Sequence, residues 1–214
     1  SSIVDNADQV MGGLHKSVLQ LSGEFGKSPT DVAKALYEAV SAGATDAASA
    51  VSVLTTANKI AVAGQGDVAQ TIKALTATVN AFGGSMLETQ GIADAMFVAI
   101  RDGNITASEM ASQLGDVVGS ARAAGLTFDE TSAAIAAITL SGIPASEAVT
   151  ALNVAINSII NPSKQAKAEA AALGIEFSTA GVKHAGGFAN FLNQIAKNEK
   201  LTSESLGHLF ENIR

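Results

Sequence analysis

The chain has 214 residues, 47% of them apolar, 15% charged and 4% aromatic, with 13 Lys and Arg against 20 Asp and Glu for a net charge of −7. That apolar fraction is too high for a disordered chain, and the absence of Cys excludes a disulfide scaffold, a thiolate zinc site and a cysteine nucleophile. A sequence pI near 4.9 argues against a surface that tracks phosphates, so no specific nucleic-acid recognition is expected.

Alanine accounts for roughly one residue in five, well above ordinary usage. With three Pro and few β-branched runs, the apolar spacing is helical nearly throughout. The N-terminus, Ser1-Ser2-Ile3-Val4-Asp5, has neither a basic region nor an apolar core, which excludes a signal peptide. It lacks an initiator Met, and both ends read as cut from something longer. Residues 1–27 are expected to form a helix entering from an upstream segment.

Ser28-Pro29 is a helix start, a hydroxyl cap followed by Pro at the first helical position. Val32, Leu36 and Val40 then step along one face, and Gly43 stops the helix. Gly64-Gln65-Gly66-Asp67-Val68-Ala69 has the letters of a dinucleotide loop. Residues 51–63 before it read as helix rather than strand, so it is read as a helix joint capped by Asp67.

Val68, Ile72, Leu75, Val79 and Phe82 step by 4, 3, 4 and 3 and share one stripe. That spacing suits a coiled-coil seam as well as a core, so the five are a candidate self-association stripe. Met110, Leu114 and Val117 continue the theme, as do Val149, Leu152, Ile156 and Ile159.

Ser85 with Glu88, Thr106 with Glu109 and Thr127 with Glu130 each have capping-box form, 21 residues apart. This is a weak quasi-repeat of one helix and one tight turn, sharing caps more than identities. Thr202-Ser203-Glu204-Ser205 opens a last short helix. Gly64, Gly83, Gly103, Gly125, Gly142 and Gly174 supply further stops by accepting the left-handed conformation.

Residues 131–163 carry one charge, Glu147, but Gly142 and Pro144 divide the stretch. No uninterrupted run reaches the ~20 apolar residues of a membrane span. A buried helical hairpin is the primary reading and a membrane-active hairpin the alternative. Ile175-Glu176-Phe177 is the one candidate for a short extended piece, ahead of a Gly-rich loop. The expectation is an all-α protein of eight to ten Ala/Gly-rich helices, forming one multi-helix domain. In it, 28–174 is the core and 175–214 carries the loop and the C-terminal helices.

Chemistry finds little purchase. His15, His184 and His208 lie on separate segments, outside H-E-x-x-H and unpaired at helical spacing. G-x-S-x-G and S-x-x-K are absent, and no carboxylate pair stands out as an acid–base couple. No catalytic residue, cofactor site or metal ligand is therefore expected.

The order of the helix joints is more informative. Leu36-Tyr37-Glu38-Ala39-Val40-Ser41-Ala42-Gly43 with Thr45-Asp46-Ala47-Ala48, and Ala74-Leu75-Thr76 through Asn80-Ala81-Phe82-Gly83, resemble the opening blocks of the core region of phage tail tape measure proteins. Ala124-Gly125-Leu126-Thr127-Phe128-Asp129-Glu130 and Ile143-Pro144-Ala145-Ser146-Glu147-Ala148 follow. Asn161-Pro162-Ser163-Lys164 and Ala172-Leu173-Gly174-Ile175 continue the likeness, and Gly186-Gly187-Phe188 and Leu209–Arg214 close it.

The resemblance covers residues 20–214, and its specificity lies in the number and order of the motifs. It implies a structural protein that templates tail tube assembly, sets tail length and takes part in genome ejection. Tail tube protein and tail assembly chaperones are the implied partners, with homo-oligomerisation in the full-length protein and transient host-membrane contact. The implied location is the lumen of the tail tube, after assembly in the host cytoplasm. Cell-wall-cleaving domains occur elsewhere in some members, which keeps a cell-wall enzyme as the least favoured reading.

Overall fold

The computed structural model describes residues 2–41, 47–64, 66–82 and 89–210. They form twelve helices: α1 (Ser2–Phe25), α2 (Pro29–Ser41), α3 (Ala47–Ala63), α4 (Val68–Phe82), α5 (Thr89–Asp102), α6 (Ala107–Ala123), α7 (Phe128–Leu140), α8 (Ala145–Ile160), α9 (Lys164–Leu173), α10 (Thr179–His184), α11 (Phe188–Ala196) and α12 (Ser203–Leu209). The fold is all-α, with no strand among the described residues. The count exceeds the expected eight to ten because the C-terminal forty residues fold as three short helices, α10 to α12. Residues 175–177 are an irregular link, in which Phe177 N–H turns back to Ile175 C=O (3.1 Å) rather than pairing with a strand.

Caps start the helices where hydroxyls stand. Ser28 Oγ accepts Asp31 N–H at 3.2 Å ahead of Pro29, and Thr202 Oγ1 accepts Ser205 N–H at 3.0 Å. Thr106 and Glu109 close a reciprocal box, with Thr106 N–H to Glu109 Oε2 at 2.8 Å and Glu109 N–H to Thr106 Oγ1 at 3.2 Å. Thr127 and Glu130 repeat it at 2.9 and 3.1 Å. Each cap satisfies amides that have no partner inside the helix. Ser85–Glu88, Gly43 and Gly83 lie outside the described residues.

Of the expected glycine stops, Gly125, Gly142 and Gly174 have φ of 81°, 91° and 69°. Gly103 ends α5 without a left-handed backbone. Its role is clearance, since a Cβ there would stand 2.7 Å from Ala99 O and 2.9 Å from the Cα of Ala136.

The chain packs as two units, residues 1–97 with 106–112, and residues 98–105 with 113–214. The expected divisions at 27/28 and 174/175 coincide with helix joints, α1–α2 inside the first unit and α9–α10 inside the second.

In the first unit α4 packs on α3 and α2, and α1 packs on both of those. Val32 and Leu36 are buried as their spacing predicts. Ala39 is the third inward residue, whereas Val40 is 47% exposed. Both positions lie within 60° of Leu36's direction on a helix, and the thinner side chain occupies the close contact. In the second unit α7 packs on α8 and α11, α10 on α11, and α12 on α9. Val149, Leu152, Ile156 and Ile159 form the buried stripe of α8.

Both cores contain buried hydroxyls. Thr71 and Thr78 on α4 donate to the carbonyls of Asp67 and Ala74, each at 2.8 Å. On α7, Thr131 donates to Thr127 C=O and Thr139 to Ala136 C=O. Each hydroxyl is satisfied within its own helix, which lets Thr substitute for Val at a packed face.

Candidate functional site

The five residues of the expected self-association stripe lie along α4. Ile72, Leu75 and Val79 are fully buried within the chain itself, while Val68 and Phe82 at the two ends are partly exposed. Burying such side chains contributes roughly 1.5–3 kcal/mol each. The joint before α4 is the one expected of the Gly64–Ala69 letters. Helix α3 precedes it, and Asp67 Oδ1 accepts Gln70 N–H at 2.8 Å. Gly64 C=O accepts Ala107 N–H at 3.0 Å, and Ser108 Oγ accepts Asp67 N–H at 3.1 Å, so the start of α6 is fastened to this joint. The Gly64, Gly66 and Asp67 amides of this joint donate to Ile60 C=O, Ala61 C=O and Ser108 Oγ.

The second unit has a different centre, Glu130. Its Oε2 completes the α7 capping box, and its Oε1 accepts Phe188 N–H at 2.6 Å from 58 residues away. Phe188 is the first residue of α11, so one carboxylate serves the positive ends of two helices. Gly187, with φ 120°, makes room for it, because a Cβ there would collide with Glu130 Oε1.

Beside this clasp is an open cleft of about 740 Å³. It lies between the α6–α7 turn (Arg122, Gly125, Thr127) and the α10–α11 segment (Lys183, Gly186, Gly187). It holds the cations Arg122 and Lys183 beside the Glu130 carboxylate, whose two oxygens already accept the Thr127 and Phe188 amides.

Further polar bridges join distant segments of this unit. Asn153 on α8 accepts Ser120 O–H at 2.6 Å and donates to Asp116 C=O at 3.1 Å. Asn198 donates to Leu173 C=O at 2.8 Å, closing the end of α9. His208 Nδ1 lies 3.0 Å from Glu169 Oε2 and links α12 to α9. That hydrogen bond, with a second from Ser205, holds the Glu169 carboxyl below its ordinary range. His184 is exposed and meets Glu176 at 2.8 Å.

None of these pairings is visible in sequence, because every partner comes from packing and none from a local motif. Glu130 was legible as a cap and illegible as a clasp. Among the described residues, no group of three or more His, Asp and Glu is placed to hold a metal ion, and no helix is long and apolar enough to cross a membrane.

What remains is a set of helix joints in fixed order, and comparison with known proteins identifies that order. The family profile described as phage-related minor tail protein matches residues 15–212. The chain belongs to that family. Among curated proteins it is similar to the tape measure protein of Pneumococcus phage Dp-1, with 33% identity over 112 residues. The match covers 52% of this chain and 10% of that protein, so the aligned segment is about a tenth of the relative's length. No solved structure matches. The minor tail assignment makes the role structural, within the phage tail.

Proposed function

We propose that this chain is a structural segment of a tape measure protein, which templates tail tube assembly, sets tail length and takes part in genome ejection. The carrying observation is the family match across residues 15–212, with its likeness to a protein named for that role. Tail tube protein and tail assembly chaperones are its partners in this reading, and the full-length protein is a homo-oligomer. The segment works from the host cytoplasm during assembly and then from the tube lumen, by shape and contacts and with no catalytic step.

Length measurement makes the reading testable. A continuous helix advances about 1.5 Å per residue. An in-frame deletion of residues 32–175 in the parent protein, 144 residues, would shorten tails by about 216 Å if this region is threaded as helix. Little change in tails that still assemble is the outcome we expect, and it makes the segment a folded plug or terminal organiser. Normal tails of normal length with normal infectivity would remove the segment from tail assembly altogether.

A second reading rests on the α7–α8 hairpin, whose tip exposes Leu140 (68%) and Ile143 (40%) around Gly142. At 16 residues α8 is about 24 Å long, short of a ~30 Å hydrocarbon core. This reading is therefore of a tip that inserts at a membrane surface. Flotation with anionic vesicles, lost in Leu140→Asp, would support it; failure to float at any pH would end it.

A further inference from the structure

In the first unit a second cleft, of about 330 Å³, opens between the α1–α2 joint, α2, α3 and the start of α4. One of its lining residues is Asn58 on α3, which is only 6% exposed. Its Oδ1 is buried and has no hydrogen-bond partner among the described residues. A stranded acceptor of this kind is costly to bury and marks a place where a donor is missing. Thr76 Oγ1 shares that condition, but it does not line this cleft.

The rest of the cleft states what kind of donor fits. Phe25, Val32 and Leu54 give it an apolar wall. Asp31, Glu38 and Asp67 supply carboxylates. Asp31 Oδ2 is held by Ser28 O–H at 2.7 Å, and Asp67 Oδ1 by Gln70 N–H, which leaves one oxygen of each for another donor. Lys27 and Lys34 also line the cleft, and both are exposed residues at its rim, so the carboxylates outnumber the cations three to two. The first unit as a whole has five Lys and no Arg against ten Asp and Glu, a net charge of −5.

A cleft that combines carboxylates, a stranded acceptor and an apolar wall suits a ligand that is all donor at one end and aliphatic along its stem. Arginine is that side chain: five N–H donors, no acceptor and a three-carbon stem.

We propose that this cleft is a docking pocket for an arginine side chain presented by a partner protein of the tail. The stem lies along Phe25, Val32 and Leu54, and the guanidinium donates to Asn58 Oδ1 and the carboxylates. The partner is a different protein, since this chain's own arginines are few and Arg101 is already paired with Asp102. The pocket adds a contact to the structural role proposed above, and it can fail while that role stands.

The test uses the full chain and two twelve-residue peptides, one alternating Arg and Ala, the other Lys and Ala. Binding is followed in ¹H–¹⁵N spectra by the backbone amide resonances of α2 and α3, and in the parent also by the Asn58 side-chain amide. The Arg peptide should shift these signals saturably and bind at least fivefold more tightly than the Lys peptide. Asn58→Leu should weaken the Arg peptide roughly tenfold, the effect of losing one hydrogen bond to a charged donor. The same variant should melt no lower than the parent, because it removes a stranded acceptor and not a satisfied one.

Equal binding of both peptides would reduce the effect to the unit's negative field and overturn the pocket. Unchanged affinity in a folded Asn58→Leu would overturn it too, as would no binding at all. Should Asn58→Leu unfold, Asp31→Asn is the fallback, and Arg-peptide affinity unaffected by it refutes the proposal. Self-association of the parent that Asn58→Leu abolishes would assign the pocket to a second copy, against the proposal.

Discussion

Helix α4 and the Glu130 clasp show two ways of holding Ala-rich helices together. In the first unit the organising feature is a stripe, Ile72, Leu75 and Val79, each without solvent exposure. The attraction is spread over apolar area and has no direction. In the second unit much of the long-range ordering is carried by single polar atoms: Glu130 on Phe188 N–H, Asn153 on α6, Asn198 on Leu173 C=O and His208 on Glu169. Short helices explain the difference. Helices α10, α11 and α12 have six, nine and seven residues, too few turns to bury a long stripe. They bury only a few apolar side chains each, such as Phe188, Phe191 and Ile195 on α11, and polar side chains such as Glu130 and His208 add the rest of the hold. A stripe should therefore fail by unfolding, and a clasp by loosening one joint.

Leu75→Asp is the harshest test of that contrast. It deletes a buried side chain and installs a charge where no partner waits, at a cost above ~4 kcal/mol. The expected outcome is loss of cooperative melting in the first unit, read by circular dichroism and urea titration. It also decides the self-association reading of the stripe Val68–Phe82, since dissociation of an oligomer with helicity retained would mean an interface.

Glu130→Ala should do less and do it locally. It leaves the Thr127 and Phe188 amides without their acceptor, for about 1–3 kcal/mol. Hydrogen exchange should accelerate at the starts of α7 and α11 and stay unchanged in α3 and α4. Acceleration throughout would mean that the clasp is no more local than the stripe.

The smallest effect concerns acid. Glu169 has a folded-state pKa below its ordinary 4.5, chiefly through the hydrogen bond from His208. Its contribution is complete above about pH 4.5 and disappears as pH falls through the lower, folded value. The melting temperature should therefore fall from pH 5 toward pH 3, and Glu169→Gln should flatten part of that slope. Identical slopes in the two proteins would show that α12 is not held through this carboxylate.

Sequence legibility divides along the same line. The stripe on α4, the α8 stripe and the boxes at Thr106 and Thr127 were readable, because period and cap are local properties. Val40 and Ala39 exchange places, since two residues on nearly the same face differ only in how closely a neighbour approaches. The Glu130–Phe188 and His208–Glu169 pairings join residues 58 and 39 positions apart, and Asn58 carries no local mark at all. What a residue meets across the fold is decided by packing, and a single sequence records only its near neighbours.

The threonines of α4 and α7 have a mechanical consequence. Because Thr71, Thr78, Thr131 and Thr139 hand their hydroxyl protons to their own helices, these four positions meet their neighbours by contour. Lifting such a helix from its neighbour strands none of those protons, so on α4 the resistance rises with the area parted, whereas on α7 the Glu130 bond to Phe188 N–H must break as well. Once apart, the helix keeps its wiring and can settle again in the same seat. A face built of such positions can part and reseat without exchanging a single hydrogen bond of its own.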